Sequence, residues 1–276
     1  MLMVQRSSAD PRRMSSERVS RRTFFAVSAL LFVASAAATV IWCTSMSAMG
    51  RRSMPGGWTI SMAWMRMPGQ TWPRVAASFL GAWLVMMLAM MLPPLVPVLW
   101  RYRQAVRSSG AMRPGWLTAL AGAAYFLVWA LFGMAAFLVG TGLVAVAMQQ
   151  AALARTVPMA AGVVVLIGGA LQCTSWKAHH LACCRDAPGR GCILPADTGT
   201  AWRHGLRLGV HCGFCCAGLM AILLVIGVMD LRVMAAVTVA VAAERLAPAG
   251  ARMARAIGVV AVGTGVLLIA RAAGLG

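Results

Sequence analysis

Acidic residues are scarce in this chain: its 276 residues contain 6 Asp plus Glu, and the four charged types together reach 11%. An ordinary soluble domain carries roughly 25% charged residues, so most of this chain has too little charge to cover a water-facing surface. The same poverty shows in its motifs. No Ser-His-Asp constellation, phosphate-cradling glycine loop or two-metal carboxylate set is visible, which leaves a non-enzymatic role as the expectation.

Hydrophobic residues, by contrast, make up 61% of the chain. Apolar runs recur along its whole length, separated by short basic or Gly/Pro-rich segments, which points to one bundle of membrane helices and away from a soluble domain with an anchor. The expected fold is all-α: a polytopic transmembrane helical bundle of seven helices, with six as the alternative, forming a single domain over residues 23–276. The net charge of +19 lies between the apolar runs. There it sets topology and meets anionic headgroups, so the expected partner is the lipid bilayer and no nucleic acid.

Residues 1–22 hold Arg6, Arg12, Arg13, Arg18, Arg21 and Arg22 without an apolar face and are expected to be a disordered basic cytoplasmic tail. Spans are expected at about 23–42, 75–100, 116–146, 157–171, 209–229, 231–243 and 254–270. The second contains Pro93, Pro94 and Pro97, where a kink or early termination is expected. The sixth is the shortest, hence the alternative count. Between the first two lies an outer loop, 43–74, with Trp58, Trp64 and Trp72 suited to the headgroup layer. Arg101, Arg103, Arg107 and Arg113 form a basic loop, and residues 172–208 form a longer Cys/His-bearing one. The positive-inside rule places both, with the tail, in the cytoplasm of a bacterial-type inner membrane and the C-terminus outside. No internal repeat is convincing.

Cysteine and histidine concentrate in two places. His211, Cys212, Cys215 and Cys216 begin the fifth span; on a helix Cys212 and Cys216 share a face, as do His211 and Cys215. Cys173, His179, His180, Cys183 and Cys184 precede them, with Cys192 in a Pro/Gly-containing stretch. His180 and Cys184, or His179 and Cys183, also have helical i,i+4 spacing and can join the later cysteines, with Lys177 or Arg185 offsetting the charge. Thiolate and imidazole suit Cu(I) and Zn(II); plain core packing is the alternative for each cysteine. Met86, Met87, Met90 and Met91, with outer-loop methionines at 46, 49, 54, 62, 65 and 67, admit a thioether delivery route, although methionine is also a general interface filler. Asp230 and Glu244 read as turn or topology features, Glu244 facing a cation from another loop.

Three segments resemble the DUF2182 family of predicted metal-binding membrane proteins, often labelled copper chaperones: AWLVMMLAMMLPPLVP from Ala82, GGALQCTSWKAHHLACCRD from Gly168 and GLRLGVHCGFCCAGLM from Gly205, followed by GVMDL and by Glu244-Arg245. The resemblance implies a polytopic helical protein with Cys184, Cys212, Cys215 and Cys216 in its cysteine pattern. His180 stands where the family commonly has a cysteine, His211 where an aromatic stands, and Asp230 replaces a usual Asn. The expected function is Cu(I) binding and hand-over by ligand exchange at Cys184, Cys212, Cys215 and Cys216, with His180 or His211 as auxiliary ligands. Zinc is the second candidate ion, and a metal donor or acceptor protein the expected partner. The rival readings are a structural or assembly subunit of a larger membrane complex and a membrane thiol oxidoreductase.

Overall fold

A computed structural model describes residues 11–48, 52–53, 59–60, 70–185 and 197–274. The element order is α1 Pro11–Ala48, β1 Arg52–Ser53, β2 Thr59–Ile60, α2 Trp72–Ser108, α3 Pro114–Gln149, α4 Ala151–Gln172, α5 Ser175–Arg185, α6 Thr198–Gly227, α7 Leu231–Leu246 and α8 Gly250–Ala272. The two short strands pair antiparallel, Arg52 opposite Ile60 and Ser53 opposite Thr59. Everything else in this order is helix.

Six helices are long and apolar enough to cross a membrane: α1, α2, α3, α4, α6 and α8. The chain is a multi-pass membrane bundle with eight helices among its described residues, not seven. The expected sixth span is α7, whose 16 residues rise only about 24 Å, short of a hydrocarbon core of about 30 Å. The extra helix, α5, lies inside the segment expected to be a polar loop, and the first turns of α6 fall there too. Helix α1 begins at Pro11, so residues 11–22 of the expected disordered tail are helical; residues 1–10 lie outside the described residues, as does most of the expected outer loop, whose residues 43–48 extend α1. The three prolines do not terminate α2, which runs on to Ser108 and carries Arg101, Arg103 and Arg107 on its last turns instead of in a loop.

Close approaches fix the helix directions. A Cβ added at Gly205 would meet the Ala121 carbonyl and Ala124, at Gly209 the Tyr125 carbonyl and Val128, and at Gly213 the Phe132 ring. Both series ascend, so α3 and α6 run parallel, separated by little more than a glycine backbone. Gly162 meets Ile269, Gly169 meets Val262, and Gly258 meets Gln172; here one series descends, so α4 and α8 are antiparallel. Phe24 packs on Trp100 at 5.3 Å between ring centroids, and Arg103 donates to Ser20 Oγ, joining the start of α1 to the end of α2. One face of the bundle therefore collects the start of α1, the α2–α3 turn and α5, and with them most of the Arg and Lys. Starting at the opposite face, α7 stops inside the bundle, which carries its terminal Glu244 and Arg245 into the interior; both are buried.

Candidate metal centre

Two helices supply the thiols. In α6, Cys212 and Cys216 lie one turn apart with sulfurs separated by 3.9 Å, and Cys215 sits between them on the buried side. In α5, Thr174 accepts from the backbone N–H of Lys177 at 3.3 Å, an N-terminal cap, and the helix that follows buries Lys177, Leu181 and Cys184 on one face. The Cys184 thiol then lies against those of Cys212 and Cys215, while Cys216 lies against Cys212 and Cys215. All four are buried. The four expected cysteines thus form one contiguous thiol cluster about halfway along α6.

Charged and polar groups of other helices close over it. Arg245, 5% exposed, directs Nη1 at Cys212 Sγ from 3.2 Å and Nη2 at the Cys184 carbonyl oxygen from 3.5 Å. The Tyr125 hydroxyl lies 3.0 Å from Cys212 Sγ, brought there by the glycine-mediated approach of α3 to α6. Lys177 Nζ donates to the Cys215 carbonyl oxygen at 2.5 Å and to Glu244 Oε2 at 2.6 Å. Burial works against the Lys177 charge, but the Cys215 sulfur and the Glu244 carboxylate outweigh it and hold the ammonium above its ordinary range. Lys177 is ion-paired with Glu244, as expected for Glu244, and Arg245 rather than Lys177 or Arg185 is the cation that hydrogen-bonds a sulfur.

The imidazoles form a separate group. His180 Nδ1 and His211 Nδ1 stand 3.0 Å apart, and the His180 ring packs with Trp176 and Phe214 as well as with His211. His179 Nε2 contacts Cys183 Sγ at 3.8 Å on the exposed side of α5. His180 and His211, both half-buried, hold each other at the rim while the thiols occupy the interior. Cys173 is exposed and its sulfur faces the Arg255 carbonyl. Cys192 lies outside the described residues. Met86, Met87, Met90 and Met91 are all buried in α2, and Met86 lines an apolar cavity near the opposite face with Cys43 and Met229, whose sulfurs are 3.9 Å apart. Of the outer methionines only Met46 is within the described helices, so no route from that loop is traced.

Among the described residues, no group of three or more His, Cys, Asp or Glu side chains is already arranged to hold a metal ion. The donor chemistry of the cluster nevertheless fits a soft ion. Sulfurs sharing one zinc ion tetrahedrally, through bonds of about 2.3 Å, are about 3.8 Å apart, so the 3.9 Å between Cys212 and Cys216 lies in the range of two sulfurs on one metal ion. One edge has the spacing of a bound site, and the other thiols must shift to complete it. In the sequence Arg245 stands out only as the second half of the Glu244-Arg245 pair, and Tyr125 carries no motif. The available signals were an ionisable pair ending a span too short to reach the surface, and one of only 2 tyrosines in the middle of an apolar run.

None of the curated proteins and none of the solved structures matches this chain. The profile of the PpoB2 family, described as a copper chaperone, matches residues 80–268, from the third turn of α2 to the last turns of α8, and so encloses every thiol of the cluster with Tyr125, Lys177, Glu244 and Arg245. The DUF2182 resemblance and this match concern the same family, and the chain belongs to the PpoB2 copper chaperone family.

Proposed function

We propose that the protein holds Cu(I) as cargo among Cys184, Cys212, Cys215 and Cys216 and passes it on by thiol ligand exchange, from a donor or to an acceptor protein at the arginine-rich face. The observation that carries this reading is the joining of four buried thiols from α5 and α6 around a buried guanidinium. Removing a charge from water into a membrane protein interior is costly unless an opposite charge meets it. With Lys177 and Glu244 paired, Arg245 is the positive charge left facing the sulfurs. A Cu(I) ion held by two of the four cysteines as thiolates, the other two remaining protonated thiols, carries one net negative charge, which Arg245 balances; a Zn(II) ion held by all four as thiolates carries two, which Arg245 alone does not. Charge balance thus supports Cu(I) over zinc. Tyr125 adds a hydroxyl to the same sulfur, and His180 with His211 supplies auxiliary ligands at the rim. The arginine distribution supports a bacterial-type inner membrane, with a single transmembrane domain and the N-terminus and this centre on the cytoplasmic side, where thiols stay reduced.

The test is anaerobic loading of the purified protein with Cu(I), competition with a Cu(I) chelator, and measurement of copper per chain. Wild type is expected to retain copper, and the Cys212→Ser/Cys216→Ser variant to lose it. Arg245→Gln is expected to bind at least roughly tenfold more weakly, the scale of one lost charge-assisted contact. A wild-type protein that stays metal-free under these conditions would overturn the proposal.

A further inference from the structure

Beside the thiol cluster lies a polar cavity of about 280 Å³, lined by Pro94, Pro97, Arg101, Cys184, Arg185 and Arg245 among others. Three guanidinium-bearing residues converge on it, and no acidic side chain among the described residues lines it. Its inner wall is Cys184 with Arg245, the two groups that also touch Cys212. Arg101, exposed at the end of α2, marks its outer end, and the Arg101 guanidinium reaches the Arg185 carbonyl oxygen at 3.5 Å. The prolines matter here for a different reason. Pro94 and Pro97 have no N–H to give the carbonyls of Met90 and Pro93 four residues back, so α2 leaves backbone acceptors without their helical donors beside the cavity. Backbone of this kind is tolerated at membrane depth where it faces a polar cavity.

Such a passage leads to Cys184 but repels a bare cation. A cavity lined by one sign of charge concentrates ligands of the opposite sign, and Cu(I) held by two small thiolates is an anion. We infer that this cavity is a docking vestibule for copper presented as an anionic complex of a small, carboxylate-bearing thiol, and that Cys184 makes the first exchange; the inference rests on the Cu(I) reading of the thiol cluster. In that exchange a Cu–S bond forms to Cys184 as one carrier Cu–S bond breaks. The Cys184 proton leaves with the released carrier thiol, copper stays Cu(I), and no oxidant or reductant takes part. A second exchange, onto Cys212 or Cys215 against which Cys184 lies, frees the other carrier thiol in the same way.

The experiment mixes the metal-free protein in a neutral detergent with Cu(I) carried either by glutathione, an anionic thiol, or by cysteamine, a cationic one, and follows copper transfer by its thiolate absorption. Loading of wild type is expected to be at least about tenfold faster from glutathione, with an advantage that shrinks as salt rises. In Arg101→Gln/Arg185→Gln the glutathione rate is expected to fall to the cysteamine rate, with the same copper content at saturation. Equal rates from the two carriers in wild type, or an unchanged preference in the variant, overturn the vestibule while leaving the thiol cluster standing. Copper bound from neither carrier overturns both. Repeating the assay in discs of neutral and of anionic lipid separates the sources of anion: glutathione-carried loading abolished by anionic lipid would assign the cavity to a headgroup instead.

Discussion

Lys177 and Glu244 show at the scale of single residues how the centre is held together. The two groups meet at 2.6 Å inside the bundle, 3% and 0% exposed, and each would be a stranded charge without the other. Breaking a buried pair from one side costs about 3–5 kcal/mol, whereas replacing both partners by apolar groups is often near neutral. Lys177→Met is therefore expected to lower the thermal midpoint of the detergent-solubilised protein sharply, and Glu244→Leu to do the same. The double variant is expected to recover most of the loss. Additive losses in the double variant would show that the two charges do not compensate each other. The pair was only partly legible in the sequence. Glu244 invited a cation from another segment because an isolated acid in an apolar chain must find one, but nothing in the spacing could show that Lys177 also spans to the Cys215 carbonyl. Asp230 is a simpler case: it caps α7 by accepting from the N–H groups of Arg232 and Val233. Asn caps a helix about as well as Asp, which accounts for its standing where the family resemblance has Asn.

Among the elements, the α3–α6 contact decides whether Tyr125 reaches Cys212. Gly205, Gly209 and Gly213 recur every four residues along α6 and form the stripe on which α3 rests, and van der Waals packing of this kind is the main force joining helices in lipid. A Cβ at Gly209 would press on the Tyr125 carbonyl and on Val128, pushing away the residue whose hydroxyl lies 3.0 Å from the Cys212 sulfur. Gly209→Leu is expected to weaken copper retention several-fold and to raise the reactivity of Cys212 toward a small alkylating reagent. Gly263→Leu, in open space on α8, is expected to change neither, and equal effects from the two would remove the special role of the stripe. The long helices were legible in the apolar runs alone, because a span must be both long and uncharged. What periodicity could not show was the start of α6 at Thr198, ahead of the expected Gly209: Asp197 caps it by accepting from Thr200 N, and Arg203 and Arg207 read as loop residues when they are helix surface at the basic end.

For the whole molecule, the short α7 reconciles six long helices with an α8 that ends on the face opposite the start of α1. It returns the chain from the far face without crossing fully, and α8 then runs antiparallel to α4, so the end of α8 lies on the face opposite the start of α1. Of the seven expected spans, with six as the alternative, six qualify by length and composition, and the remaining one, α7, is the short helix that does not. The arginines bear on which face is cytoplasmic: Arg101, Arg103, Arg107, Arg113, Arg185, Arg203 and Arg207 all lie toward the α5 face, where the cationic cavity borders Cys184. Cys184 and Cys43 are too buried to report on sidedness by labelling, whereas Cys173 is exposed at the α5 face and Met148 is 52% exposed at the far end of α3. In single-cysteine proteins, Cys173 is expected to resist a membrane-impermeant maleimide in intact cells and to react once the membrane is opened. Met148→Cys is expected to react in both. The opposite pattern would place the thiol cluster toward the oxidising side, where a reduced four-thiol set could not persist unprotected, and with it would fall the delivery of Cu(I) from a cytoplasmic carrier.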